Sequence, residues 1–297
     1  MMKNLVKKKF VNQVGPTGLG VRLFPLAAVA ALLCGANCQA GVIASDSAAN
    51  YTSWTNGSGG GTGYSTWTLT GSNDSGFFLG SSTVNDNGQT LPAGDTSDID
   101  TSGQSWGLYA NNGAAATASR TFSAGPMQVG DTFSIAFDNG NIGTPLTLAS
   151  DYVTLVSSTG SSILTFGFNG NATNYFYADK SQTNASTGVG FTYFGLNLTY
   201  TLTSATAYSL AITPTGSSAT TTTITGTYSG SIAGFEAVNV NAGGGDVSNF
   251  YINSPILTAP AGAAVPVPAS FGLLLAGTLA GGIGLMLRSR MGKWRGV

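Results

Sequence analysis

Hydrophobic side chains recur at every second position through much of this sequence, and this period limits the folds that the chain can adopt. In the segment "TFSIAF", Phe133, Ile135 and Phe137 alternate with polar or small residues. Leu196–Leu202 and Tyr208–Ile212 repeat the pattern. Successive side chains of a β-strand point to opposite faces, so this alternation indicates strands with one buried face. The body of the chain lacks the 3.6-residue period of amphipathic helices.

The candidate strands are short and are separated by turn residues. From Trp67 to Leu257, Asn-Gly pairs and glycine-rich turns recur every 8–15 residues or so, roughly the spacing that short antiparallel strands require. The sequence therefore predicts an all-β fold, an antiparallel sandwich or jelly roll that spans residues 64–257 as one domain. Residues 41–63 contain "NGSGGGTG" and are expected to form a flexible leader. Residues 258–264 are expected to form a linker.

The first 40 residues have the three parts of a secretory signal peptide. A lysine-rich start precedes an apolar run at residues 23–33, and small residues then lead to "CQA" at Ala40. This order predicts export with cleavage between Ala40 and Gly41. The apolar run is too short to span a bilayer. Both cysteines lie within this leader, so the mature protein is expected to fold without disulfides.

The other end of the chain has the pattern of a membrane segment. Ala269–Leu287 is 19 residues without a charge, about 28 Å as a helix at ~1.5 Å per residue, which matches a bilayer core. The basic residues that follow it are expected to stay on the cytoplasmic side and to place the body of the protein outside. These residues are Arg288, Arg290, Lys293 and Arg295.

The residues before this segment carry a resemblance to a known family. Val265, Pro266, Pro268 and Ala269, followed by the apolar segment and the basic end, resemble the PEP-CTERM sorting signal. Val267 stands where that motif usually has Glu, so the sequence is closer to the Val-Pro-Leu-Pro-Ala variant. The resemblance covers only the C-terminal end of the chain. A plain C-terminal membrane anchor remains the alternative.

This resemblance implies a partner and a destination. An exosortase-type transpeptidase of a Gram-negative bacterium would process the chain at the inner membrane. The product would then reach the cell surface or an exopolysaccharide matrix. The body in turn resembles a concanavalin/laminin-G-like jelly roll in the order of "SWGLYANNG", "RTFSAGPMQVGDTFSIAFDNGNI" and "NAGGGDVSNFYI".

The charged residues exclude several classes of function. Between residues 41 and 268 only Arg120 and Lys180 are basic, while all 12 acidic residues lie there, which leaves a net charge of −10. Such a body repels phosphate backbones, so no nucleic-acid partner is expected. The chain has no histidine, and Glu236 is its only glutamate. Serine–histidine and cysteine–histidine catalysis and paired-glutamate glycoside hydrolysis are therefore not available, and we expect no enzyme and no catalytic residue.

One acidic cluster allows a cation site. The segment "GDTSDIDTSG" places Asp95, Asp98 and Asp100 within six residues. Calcium prefers oxygen-rich loops of this kind, although the loop lacks the spacing of an EF-hand. A solvated loop, in which these side chains accept backbone hydrogen bonds, is the other interpretation. No other cofactor is indicated.

Four aromatic residues could contact sugars. Trp54, Trp67, Trp106 and Tyr109 have rings that could stack on the apolar face of a sugar. Trp67 and Trp106 are expected instead to pack in the core of the sandwich.

Three functions remain open. The first is a structural or adhesive protein of the cell surface or matrix, the second a carbohydrate-binding module, and the third a polysaccharide lyase or hydrolase.

Overall fold

Two antiparallel sheets are built from fifteen strands in the computed structural model, which describes residues 40–142, 149–216 and 219–261. The strands are β1 (Val42–Ser45), β2 (Thr68–Gly71), β3 (Ser75–Gly80), β4 (Ser105–Ala110), β5 (Ala115–Thr121), β6 (Thr132–Asn139), β7 (Ser150–Val156), β8 (Ser162–Asn169), β9 (Asn174–Ala178), β10 (Ala185–Gly190), β11 (Leu196–Leu202), β12 (Ala207–Pro214), β13 (Thr222–Thr227), β14 (Gly234–Val240) and β15 (Phe250–Thr258). Three short 3-10 helices lie at Ala48–Asn50, Ser82–Asn85 and Asp246–Ser248.

The strand order defines two faces of a sandwich. Sheet A runs β13-β12-β11-β6-β15-β4-β3, and β1 adds to it beside the end of β15. Sheet B runs β10-β9-β8-β7-β14-β5-β2. All of these strand pairs are antiparallel. The predicted all-β antiparallel sandwich is confirmed.

The alternation seen in the sequence sorts side chains into this core. Phe133, Ile135 and Phe137 of β6 are buried, and so are Leu198 and Leu210 of the neighbouring strands β11 and β12. They belong to one cluster of buried hydrophobic residues that includes side chains of both sheets. Each fully buried large side chain of this kind stabilises a fold by about 1.5–3 kcal/mol. The core therefore needs no disulfide to hold the sheets together.

Residues 41–63 are not the flexible leader that the glycine-rich sequence suggested. Val42–Ser45 forms β1 and pairs with the end of β15. The residues that follow bury the side chains of Asp46, Tyr51 and Trp54. The prediction was wrong because it relied on the glycines alone. It did not anticipate that the Asp46 carboxylate would be buried, where it attaches this segment to the core.

Asp46 attaches this segment to the core through a buried ion pair with Arg120. Arg120 on β5 is 2% exposed, and its guanidinium lies against the carboxylate of Asp46. The same carboxylate accepts hydrogen bonds from Tyr51 Oη and, at 2.8 Å, from the backbone N–H of Ser47. The guanidinium also donates to the Ser65 carbonyl at 2.7 Å.

Several segments predicted from the sequence lie wholly or partly outside the described residues. These are the leader up to residue 39, the linker after residue 261, and the sorting segment 265–297 with its apolar stretch 269–287. Thr258, the first residue of the expected linker, instead pairs with Thr132 as the last residue of β15. In the part of the chain that is described, no helix combines the length and apolar character that crossing a membrane requires.

Candidate functional site: the outer face of sheet A

The loop between β3 and β4 lies across the outer face of sheet A. We call this loop, residues 81–104, the strap. On β6 the core-facing residues alternate with Ala136 and Asp138, which point to the outer face. Ile99 of the strap packs there against Ala136 and against Tyr251 of β15. The strap thus buries a second, smaller apolar cluster on the side of the sheet away from the core.

Polar side chains fix the strap to the sheet. Asn253 of β15 donates from Nδ2 to the carbonyls of Ile99 at 3.0 Å and Gln104 at 2.9 Å. The Asp100 carboxylate accepts from the backbone N–H of Ser82 at 2.9 Å and from Ser105 Oγ at 2.8 Å. These bonds join both halves of the strap to each other and to the two neighbouring strands.

Four side chains converge where the strap meets the end of β6, and we call them the acidic cluster. Asn85 ends the 3-10 helix Ser82–Asn85, and Asp86 follows it. Asp98 comes from the second half of the strap, and its carboxyl lies within hydrogen-bonding reach of that of Asp86. Asp138 projects from β6 beneath them, with the Asn85 amide close to it but without a well-formed hydrogen bond.

Six side-chain oxygens of this cluster accept no hydrogen bond from the part of the chain that the structure describes. Asn85 Oδ1, Asp86 Oδ1 and both carboxyl oxygens of Asp98 and of Asp138 are buried and accept no hydrogen bond from the described residues. Asn85 is 0% exposed and uses its Nδ2 to donate to the Asn249 carbonyl at 3.2 Å. Buried polar atoms in native proteins are normally hydrogen-bonded, so six unpaired oxygens in one place call for an explanation.

The same burial changes the acidity of these carboxyls. Burial raises the pKa of Asp98 to about 8, and the neighbouring Asp86, Asp95 and Asp100 act in the same direction. Burial also raises the pKa of Asp86. For Asp138, which is 1% exposed, burial and then the charge of Asp98 raise the pKa well above its usual range. The cluster therefore resists carrying three negative charges without a compensating proton or cation.

The three carboxylates singled out by the sequence have different hydrogen-bond partners, although the charges of Asp95 and Asp100 both help to raise the pKa of Asp98. Asp95 Oδ1 accepts from the backbone N–H groups of Ser97 and Asp98 at 3.2 and 3.0 Å, which is a local turn. The Asp100 carboxylate accepts hydrogen bonds from Ser81, Ser82 and Ser105. Asp98 belongs to the acidic cluster, and Asp95 Oδ2 is also buried and accepts no hydrogen bond from the described residues. In the described residues, no three acidic side chains are grouped as a metal site.

The candidate residues predicted from the sequence did not include Asn85, Asp86 or Asp138. A signal for Asp138 was present, because a carboxylate two positions from Ala136 and next to core-facing Phe137 must point to the outer face of β6. Nothing in the sequence showed that the strap would cover that face.

Three of the four aromatic candidates lie in the core. Trp54, Trp67 and Trp106 are each at most 4% exposed. Trp67 and Trp106 meet edge to face with their ring centroids 5.1 Å apart. The expectation that Trp67 and Trp106 pack in the core is confirmed, and stacking of a sugar on any of these three rings is not possible in this fold.

Tyr109 is exposed and has an aromatic neighbour on the outer face of sheet A. Its ring lies over Gly76, where a Cβ would stand 2.6 Å from the Tyr109 hydroxyl. Phe78 covers Gly107 in the same way, since a Cβ there would overlap its ring. The ring centroids of Phe78 and Tyr109 are 6.4 Å apart. Glycines on adjacent strands thus let two rings lie against the sheet beside the strap.

Glu236 lies on the other sheet. Burial raises the pKa of its carboxyl. It lines a depression of about 310 Å³ together with Ser119 and Ser157. The depression is bordered mainly by serine and threonine residues.

The residues assigned to processing stand at the edge of the described structure or beyond it. Ala40 is the first described residue and is exposed, and the Gly41 carbonyl accepts from the Ala259 N–H at 2.8 Å. The predicted sorting residues Val265, Pro266, Pro268 and Ala269 lie outside the described residues. So do the basic residues Arg288, Arg290, Lys293 and Arg295.

Comparisons with known proteins give distant likenesses of fold. No protein-family model matches the sequence, and no curated protein matches it. A carbohydrate esterase from the Shiga toxin-encoding bacteriophage phi24B is 14% identical with a TM-score of 0.37, covering 65% of this chain and 90% of its own.

Two further solved structures match with similarly low sequence identity and TM-score. A protein of unknown function from Shewanella oneidensis MR-1 is 11% identical with a TM-score of 0.42, over 86% of this chain and 100% of its own. The exoplasmic/lumenal domain of VIP36, bound to Ca²⁺ and Man3GlcNAc, is 12% identical with a TM-score of 0.35. The match covers 69% of this chain and 87% of that domain's chain. Likenesses of this size do not indicate a function for this chain.

Proposed function

We propose that this chain is an exported protein that is sorted to the cell surface or exopolysaccharide matrix of a Gram-negative bacterium, where the sandwich serves as a structural or adhesive domain. The observation that carries the proposal is the order of signals around the β-rich body. A secretory leader precedes it, and the motif at Val265–Ala269, an uncharged segment and a basic end follow it. Each part has a separate physical role in export, recognition and membrane retention.

The surface of the described body fits such a role. Of its two basic residues, Arg120 is buried in an ion pair with Asp46. The outer face of sheet A away from the strap is rich in hydroxyl groups. Thr199 on β11 and Thr213 on β12 follow buried residues, and Thr225 on β13 is exposed. A face of this kind is uncharged and forms hydrogen bonds with hydrated polysaccharide.

In this proposal the C-terminal segment retains the chain at the inner membrane only until the chain is processed. The basic end stops translocation, and the apolar segment keeps the chain in the bilayer. Pro266 and Pro268 lack backbone donors and disfavour helix for the residues before them. An exosortase-type enzyme would therefore meet an extended stretch just outside the membrane.

Replacing both prolines tests the sorting role. The double variant Pro266→Ala/Pro268→Ala, made in the native host, should insert normally but remain full-length in the inner-membrane fraction. Pro260→Ala is the matched control and should be processed like the wild type. Mass spectrometry of the C-terminus reads the outcome. Wild-type protein that keeps Trp294 and stays in the inner membrane would establish a permanent anchor instead.

A carbohydrate-binding module is the second candidate, and the pair Phe78–Tyr109 favours it. Two rings that lie over glycines offer an apolar surface beside the strap, which suits stacking against a sugar. Binding to a polysaccharide panel should weaken several-fold in Tyr109→Ala and be unchanged in Tyr193→Ala, a half-buried tyrosine elsewhere on the surface. Equal binding by both variants would exclude this platform.

A lyase or hydrolase remains a third candidate, with Glu236 as its only glutamate. Release of oligosaccharide products from the same polysaccharide panel, lost in Glu236→Gln, would support it. Binding without product formation would favour the carbohydrate-binding module.

A further inference from the structure

We propose that Asn87–Gly88 in the strap is a site of spontaneous deamidation, at which the folded protein converts an asparagine to an acidic residue and so weakens the attachment of the strap to sheet A. The modification needs water as its only co-reactant and no enzyme. This inference goes beyond the proposed function, because no residue of the site belongs to the sorting signal or to the Phe78–Tyr109 pair.

The reaction starts at the backbone nitrogen that follows the asparagine. The Gly88 nitrogen loses its proton to solvent and attacks Cγ of the Asn87 side chain, whose Nδ2 takes up a proton and leaves as ammonia. Water then opens the resulting succinimide ring at either carbonyl. The product is an aspartate, or an isoaspartate whose backbone runs through the former side chain. Glycine favours the attack because it has no Cβ to hinder the approach.

The chain carries the same dipeptide at five places, and the structure describes all of them. They are Asn56–Gly57, Asn87–Gly88, Asn112–Gly113, Asn139–Gly140 and Asn169–Gly170. Four of the glycines donate their N–H to an acceptor. The distances are 2.8 Å from Gly57 to the Trp67 carbonyl, 2.7 Å from Gly113 to Asn241 Oδ1, 3.1 Å from Gly140 to the Asn249 carbonyl and 2.9 Å from Gly170 to the Ala149 carbonyl. Each of these nitrogens must break a hydrogen bond before it can attack.

Gly88 differs from the other four glycines. Within the described residues its N–H has no acceptor, and the exposed side chain of Asn87 has no hydrogen-bond partner either. The two residues have positive φ values of 53° and 74°, typical of a type I′ turn. One hydrogen bond closes this turn, from the Gln89 N–H to the Asp86 carbonyl at 3.0 Å. The reacting groups are therefore open to water, and bringing them together sacrifices at most this one bond.

Asn112–Gly113 is the matched comparison within the molecule. It also forms an exposed turn with positive φ at both residues, 50° and 82°, and the Ala114 N–H closes it on the Asn111 carbonyl at 2.8 Å. In this turn, however, Asn112 Nδ2 donates to the Asp74 carboxylate at 3.3 Å and the Gly113 N–H is held by Asn241. The two turns thus differ in the hydrogen bonds of the reacting groups.

Asn139 shows the other extreme. Its side chain is 0% exposed, and its Nδ2 donates to the Gly140 carbonyl at 3.2 Å. A Cβ at Gly140 would overlap the Val247 carbonyl, so this peptide has no room to rotate. Deamidation in the folded protein should therefore be confined to the strap.

The product would act on the strap through its charge and its length. Asn87 directly follows Asp86, whose pKa is raised by burial and also by the charges of Asp95 and Asp100. A new carboxylate adds repulsion at this place, and an isoaspartate adds one carbon to the backbone of a two-residue turn. Both changes oppose the hydrogen bonds that Asp100 and Asn253 make to the strap.

Peptide mapping of the full chain in mild detergent tests the site. Protein kept at mildly alkaline pH in heavy-oxygen water should gain the label at Asn87 several-fold faster than at the other four asparagines, as a mixture of aspartate and isoaspartate. The same chain unfolded in urea should be labelled at all five sites at comparable rates. Equal labelling of the five sites in the folded protein, or an unlabelled Asn87, would overturn the proposal.

Two variants test why Asn87 reacts. Asn241→Gly removes the acceptor of the Gly113 N–H and tolerates the φ of 50° at this position, so Asn112 should deamidate several-fold faster while Asn87 keeps its rate. Asn87→Gln should abolish labelling of the strap, because the longer side chain closes a ring less readily. An unchanged rate at Asn112 in Asn241→Gly would contradict the free N–H as the deciding feature.

Asn87→Asp carries the charge of the product and tests its effect. Hydrogen exchange of the strap, including the Ser82 N–H that donates to Asp100, should be several-fold faster than in the wild type. Asn112→Asp adds the same charge to the other turn and should leave the strap unchanged. Wild-type exchange of the strap in both Asn87→Asp and the deamidated protein would overturn the link between the modification and strap attachment.

Discussion

Replacing Asp46 with asparagine should destabilise the sandwich more than any other single change of charge in the body. The substitution keeps the size of the side chain but removes the negative charge that faces the Arg120 guanidinium. Arg120 cannot lose its proton at any accessible pH, so its charge stays buried. Its Cζ then remains 4.8 Å from the ring centroid of Tyr64 and 5.0 Å from that of Trp67, with only ring faces and carbonyl or hydroxyl oxygens around it.

The expected loss in the free energy of unfolding follows from the burial of both Asp46 and Arg120. Arg120 and Asp46 side chains are 1% and 0% exposed, so solvent does not screen the broken pair. Removing one partner of a buried ion pair costs about 3–5 kcal/mol. The amide of the new asparagine can still accept from the Ser47 N–H, now 2.8 Å from the carboxylate, and the cation–π contacts persist, so we expect the lower end, about 3 kcal/mol.

Urea unfolding of the full chain in mild detergent measures this loss. The midpoint for Asp46→Asn should fall without a change in the slope m. Asp74→Asn removes an exposed carboxylate and should stay within about 0.5 kcal/mol of the wild type. The double variant Asp46→Leu/Arg120→Met should lose less than Asp46→Asn, since no unpaired charge remains. A loss below about 1 kcal/mol for Asp46→Asn would refute a structural role for the pair.

Three further predictions address export, the core and the acidic cluster. The mature N-terminus should be Gly41, as read by mass spectrometry of the surface protein, and an intact leader would contradict this. Trp67→Ala should cost about 3–5 kcal/mol in urea unfolding and leave polysaccharide binding per folded molecule unchanged, because its ring is in the core and not on a binding face. In EDTA, the free energy of unfolding should fall as pH rises from about 4 to 8, because the pKa of Asp98 rises on folding from 3.8 to about 8 and the folded state binds the extra proton. Asp98→Asn should flatten this slope without abolishing it, since burial also raises the pKa of Asp138 and Asp151, and a slope unchanged in this variant would refute the assignment.

The fold class could be predicted from the sequence because strand alternation is a local property. Phe133, Ile135 and Phe137 point to one face whatever their neighbours are, so a buried face of β6 follows from three residues. The burial of Trp67 and Trp106 could be expected because large aromatic side chains are highly buried on average. The predicted export and sorting signals are also local, and they stay predictions.

The beginning of the domain could not be predicted because it depends on a pair of residues far apart in the chain. Glycines around residue 60 suggested flexibility, whereas Asp46 and Arg120, 74 positions apart, hold this segment in the sandwich. A sequence shows two charged residues of opposite sign without showing that both will be withdrawn from water. The pairing of β1 with β15 places Asp46 at the edge of sheet A, and the packing of the two sheets brings Arg120 of β5 to it.

The acidic cluster shows the same division between local and tertiary information. The sequence placed Asp95, Asp98 and Asp100 in one oxygen-rich loop, which left a calcium site and a solvated loop as alternatives. Which carboxylates meet was decided by the path of the strap over sheet A, which turns Asp95 and Asp100 to backbone and serine donors and brings Asp98 to Asp86 and Asp138. Local sequence sets which face of a strand a side chain occupies, because the backbone repeats every two residues. Which distant segment covers that face depends on the free energy of packing the whole chain, and so only the tertiary structure shows it.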